Sequence, residues 1–174
     1  MAPGGRVGLQ LQVPTGRADS SGAVAMSPAD RIVVTGLLWA DGSFAGDASY
    51  ARDQAAYYYG QRLQLGRVIA ELERARDAGP GATAAGLRAA LGNLSVEVTA
   101  AMIDEARQTL APNITIVPAE ALHTIRLSLS QIKKLALSDL ADFESGPPLA
   151  GALQAWIKTE AERFQRWHDR LAIQ

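Results

Sequence analysis

Glu120 and His123 stand in Glu-Ala-Leu-His, a spacing that places a carboxylate and an imidazole on one face of a helix. Helices that hold a pair of metal ions between them use this spacing, but they need it twice. The only other histidine, His168, has Gln165 at the matching position, so Glu120 and His123 are read as helix-surface residues, with no metal and no cofactor expected. A second group, Asp41, Gly42, Ser43, Gly46 and Asp47, gathers acids and glycines as a calcium loop would. Glycines occupy places where further oxygen ligands would be required. The simpler reading makes Asp41-Gly42 a turn, Gly46 the entry to a helix and Asp47 its N-cap.

Arg62 falls near the centre of an apolar helical stripe where leucine is expected, so it must pair with an acid, snorkel or face a partner. Tyr57, Tyr58 and Tyr59 together cover most of a helix circumference, and at least one of these rings must meet solvent or another surface. With Trp39, these four are the candidate interaction or buried-polar residues. No nucleophile-elbow pattern, phosphate-binding glycine loop or metal-ligand cluster is present, which leans the reading away from an enzyme and identifies no catalytic residue.

The 174 residues suit one domain, and a hydrophobic content of 48% supplies a core. Seventeen basic and eighteen acidic residues give a net charge of -1, without the electropositive excess of a nucleic-acid binder. The chain has no cysteine, which removes disulfides, thiolate zinc sites and thiol nucleophiles. No signal-peptide pattern or membrane-length apolar run is visible, so a soluble, cytoplasmic protein is the default expectation, or an exported one if the true start lies upstream.

Elements that must position these residues follow from periodicity. Val7, Leu9, Leu11 and Val13 alternate with polar residues and glycine as in a strand, and a second strand is expected from Arg31 to about Trp39. From Asp47 the period becomes helical. Ala51, Ala55, Tyr58, Arg62, Leu65, Ile69 and Leu72 form one stripe, with Asp53, Gln64, Arg67 and Glu71 opposite, in a helix reaching about Ala78. A Gly-Pro-Gly break precedes a short helix over Thr83 to Leu91, and Ser95 is read as the N-cap of another containing Val98, Met102, Ala106 and Leu110. A brief extended piece is expected at Ile114 to Val117. A long helix then starts near Pro118 and a final one carries Leu149 to Leu171, with Lys133 and Lys134 read as a solvated edge.

The segment from Ile32 to Leu72, in which a strand leads into "WADGSFAGD" and a helix carries "GQRLQLGRVIAEL", resembles the C-terminal part of certain uncharacterised bacterial proteins. In those a β domain precedes an α-helical region. The resemblance implies no activity; it implies that the β segment is the tail of a larger β domain and that the native protein is exported. The stretch "IRLSLSQIKKLALSDL" is similar to the helix that follows the winged region of mercury-resistance-type regulators, although nothing upstream resembles their helix-turn-helix.

The expected fold is mainly α (α+β), an antiparallel helical bundle over 47–174 preceded by a β appendage over 1–46. The expected function is a non-enzymatic interaction or scaffold module acting through a protein partner or self-association, with no nucleic acid or membrane insertion. The alternatives are a small-ligand binder or enzyme with a pocket between helices and, last, a DNA-binding regulator.

Overall fold

The computed structural model describes residues 36–38, 44–109, 118–146 and 151–171. The protein is a helical bundle with a minimal β hairpin at its N-terminal side. Strands β1 (Gly36–Leu38) and β2 (Phe44–Gly46) pair antiparallel with Leu37 opposite Ala45, and the hairpin lies against the first helix. The expected strands at Val7 to Val13 and the extended piece at Ile114 to Val117 lie outside the described residues, as does Trp39. Part of "ADGSFAGD" is itself a strand, a correction to its reading as a joint alone. Its last two residues behave as anticipated: Gly46 has φ 94°, and Asp47 caps the helix by accepting from the Ser49 amide at 2.8 Å.

Five α-helices follow among the described residues: α1 (Ala48–Asp77), α2 (Ala84–Gly92), α3 (Ala100–Thr109), α4 (Pro118–Ser145) and α5 (Ala152–Arg170). A 3-10 turn at Gly79–Gly81 ends α1, and the Thr83 hydroxyl caps α2 through the Gly86 amide at 3.1 Å. Ser95 is not the cap of α3. Its hydroxyl accepts from Glu97 in the preceding link, and Thr99 takes the capping role by accepting from the Met102 amide at 3.3 Å. The delay has a packing cause, because Val96 and Val98 lean on the core before the helix begins.

Helix α5 runs antiparallel to α1, with Gln154 donating to Gly79 O and His168 lying beside Gly66. It is also antiparallel to α4, where Trp156 packs on Phe143 with ring centroids 5.2 Å apart and Arg163 pairs with Asp139. Helices α1 and α4 therefore point the same way, because α2 and α3 return the chain between them.

The core has two parts. Around one end Leu65, Val68 and Leu72 meet Leu87 and Leu91 of α2, Ile132 and Leu140 of α4, and Ile157 and Phe164 of α5. Near the other end Ala55, Ala56, Met102, Ala106, Ala121, Ile125 and Leu129 join α1, α3 and α4, and four of these seven are alanines. Each of the large residues contributes about 1.5–3 kcal/mol by leaving water. Gly60 is a requirement here: a Cβ in its place would collide with Ser128 Oγ and stand 2.9 Å from Ile125 O. Ser128 is itself satisfied, donating to Ile125 O at 2.8 Å.

The expected stripe of α1 is only partly the buried one. Gln64, assigned to the wet face, is fully buried, whereas Arg62, assigned to the centre of the stripe, is exposed. A single wheel stripe presumes one neighbour, but α1 meets α4, α5 and α2, and its buried arc includes Gln61, Gln64 and Val68. Lys133 also departs from its reading as a solvated edge, since its ammonium donates to Gly92 O and to Leu94 O and pins the link after α2 onto α4. Among the described residues no helix is long and apolar enough to cross a membrane.

Candidate functional site

Midway along α1 a hollow of about 480 Å3 opens between α1, α3 and α5. Tyr59, Arg62, Leu63, Gly66, Arg67 and Ala70 line it from α1, Glu105 from α3 and His168 from α5. At about 100° per residue, Tyr59, Leu63, Gly66 and Ala70 make a strip along the helix. Arg62 and Arg67, about 140° apart around the same axis, flank that strip.

The two arginines differ in how they are held. Arg67 is half-buried, and its Nη1 donates to Gln64 Oε1 at 3.1 Å and to Ser95 O at 3.0 Å. These two bonds tie the guanidinium to both the core and the link before α3. Arg62 is exposed and makes no hydrogen bond or ion pair among the described residues. On the α3 side, Tyr59 donates to Glu105 Oε2 at 2.9 Å. Burial first, and then the bond and the charge of Glu105, push the Tyr59 phenol well above its ordinary value, so it stays a donor throughout the physiological range.

Gly66 decides how the hollow is read. A glycine inside a helix costs about 1 kcal/mol relative to alanine, so its presence calls for a reason. Gly60 has one in the close approach of α4. Gly66 does not: a Cβ there would meet only His168 Nε2, at an ordinary 3.9 Å. The bare backbone at Gly66 enlarges the hollow without serving the packing.

The residues singled out in the sequence divide here. Arg62 and Tyr59 are brought into the hollow. Tyr57 is drawn to α4, where its hydroxyl donates to Gln131 Oε1, and Tyr58 is half-buried beside it with ring centroids 6.3 Å apart. Burial is the leading cause that raises the Tyr58 phenol, followed by its neighbours Tyr50 and Tyr57. Glu120 and His123 are both exposed, and no group of three or more candidate metal ligands occurs among the described residues. Gly66 and Glu105 were not singled out in the sequence, Arg67 was placed on the wet face of α1, and His168 was weighed only as a second metal ligand. Only Gly66 carried a local signal, a helix-interior glycine, and separating it from Gly60 required α4 to be in place.

Comparison of the chain with protein-family models, with curated proteins and with solved structures finds no match. The reading of the hollow therefore rests on its own geometry.

Proposed function

We propose that the protein is a non-enzymatic small-ligand-binding module, with the ligand seated in the hollow between α1, α3 and α5. The observation that carries this is Gly66, a helix-weakening residue with no packing partner that demands it, on the floor of a hollow flanked by two arginines. Its volume falls in the usual range for small-molecule sites, and its lining joins an apolar floor to a few polar groups. Of the two lining groups able to act as nucleophile or base, Tyr59 and His168, the Tyr59 hydroxyl is committed to Glu105, which supports binding over catalysis.

A scaffold built on a permanent partner is supported less well. Among the described residues Leu127 is the sole large hydrophobic side chain counted as exposed, and one leucine does not make the apolar centre of a stable interface.

Anilinonaphthalene sulfonate, an apolar anion that fluoresces when shielded from water, tests the proposal. Saturable binding of one dye per chain is expected, abolished by Gly66→Leu, which fills the hollow from its floor. Equal dye binding by Gly66→Leu and the parent protein, with both shown folded by circular dichroism, overturns the proposal.

A further inference from the structure

Resting on that reading, we propose that the ligand is an apolar monoanion: a carboxylate on a hydrocarbon or aromatic body, with its acid group received between Arg62 and Arg67. The charges around the hollow set the valence. Arg62 and Arg67 supply two positive charges, and Glu105 places one negative charge against them from the α3 wall. A carboxylate brings one negative charge to the two guanidiniums. A phosphate monoester would bring a second negative charge into a space that already holds Glu105.

Glu105 is kept there. The Tyr59 hydroxyl donates to it at 2.9 Å, and that phenol is too reluctant an acid to give up the proton in the bond. The acid therefore stays on the α3 wall as a fixed negative element that discriminates against polyanions.

Arg67 is the positioned cation. Its Nη1 is held by Gln64 Oε1 and Ser95 O, which orders the guanidinium before any ligand arrives and lowers the entropic cost of binding. A planar guanidinium matches the two oxygens of a carboxylate. Arg62, exposed on the other flank and without a hydrogen bond or ion pair among the described residues, is the second cation offered to the carboxylate. The body of the ligand rests on Leu63, Gly66 and Ala70, an apolar floor with His168 Nε2 beside Gly66, so the hydrocarbon part is held mainly by buried area.

The test displaces bound anilinonaphthalene sulfonate with three probes of one shape: 2-naphthoate, 2-naphthyl phosphate and 2-naphthalenemethanol. Octanoate is added to separate aliphatic from aromatic acids. Naphthoate is expected to compete about tenfold or more better than the neutral alcohol and the phosphate, the scale of one charge-assisted hydrogen bond. Arg62→Ala, at an exposed position and shown folded by circular dichroism, is expected to cost naphthoate about tenfold and to leave the alcohol unchanged. Stronger competition by octanoate assigns the site to aliphatic acids, and stronger competition by naphthoate to aromatic ones; either outcome supports the monoanion.

Equal competition by alcohol and naphthoate, or stronger competition by the phosphate, overturns this inference. If the dye binds and is lost in Gly66→Leu while the probes show no charge preference, the inference fails and the hollow remains a site. If Gly66→Leu leaves dye binding intact, the underlying reading fails with it.

Discussion

Gly60 and Ser128 face each other across the contact of α1 with α4, and the space between them admits no side-chain carbon on Gly60. Six residues along the same helix, Gly66 faces His168 Nε2 with room for one. The pair makes a matched experiment. Gly60→Ala is expected to lower stability by about 1 kcal/mol or more, because overpacking outweighs the helix preference of alanine. Gly66→Ala is expected to raise it by up to about 1 kcal/mol. Urea unfolding measures both, and a shift in the same direction for the two variants would contradict the assignment of one glycine to packing and the other to the hollow.

Arg163 of α5 pairs with Asp139 of α4 and lies 2.6 Å from Glu160, poorly aligned for a hydrogen bond to it. Burial raises the Glu160 carboxyl above its ordinary value; Arg163 opposes the shift and Asp139 adds to it. A carboxyl whose pKa is higher in the folded state favours folding most below its unfolded pKa, and that contribution is lost as pH rises through the folded value. Glu160→Gln should therefore compare more favourably with the parent protein at pH 7 than at pH 4. A stability difference that does not change with pH would show that Glu160 titrates as an unperturbed surface acid.

Asp47 shows the opposite sign. Hydrogen bonds from the Ser49 hydroxyl and amide hold its carboxyl below the usual range, so its contribution is present above the unfolded pKa and is lost as pH falls through the folded value. Asp47→Ala is expected to destabilise α1 at neutral pH and to differ little from the parent protein in strong acid. Thermal unfolding followed by circular dichroism at the two pH values decides between this and a purely conformational role.

Both core clusters begin at or after Ala55, and the cap of α1 is supplied by Asp47. Residues 47–174 are therefore expected to fold without the segment before them, with helical circular dichroism and a cooperative thermal transition. An unstructured 47–174 fragment would show that the β1–β2 hairpin or the residues before it are needed to complete the fold.

Much of this architecture is local and was legible from the chain alone. The unbroken three-and-four spacing of Leu122, Ile125, Leu129, Ile132, Ala136 and Leu140 specifies α4, because periodic apolar residues on a helix have only one side to bury. Pro118 at its start, Asp47 before α1 and the Gly-Pro-Gly after it mark ends through backbone chemistry that involves a few neighbouring residues. What remained for the tertiary structure was the identity of each helix's neighbours. Gln64 is buried and Arg62 exposed because α1 is covered on several sides, and a periodicity cannot report how many partners a helix has. The hollow depends on the same information. Glu105 and His168 lie far along the chain from Gly66, and only the return of the chain through α3 and the antiparallel course of α5 bring them to the flank of α1.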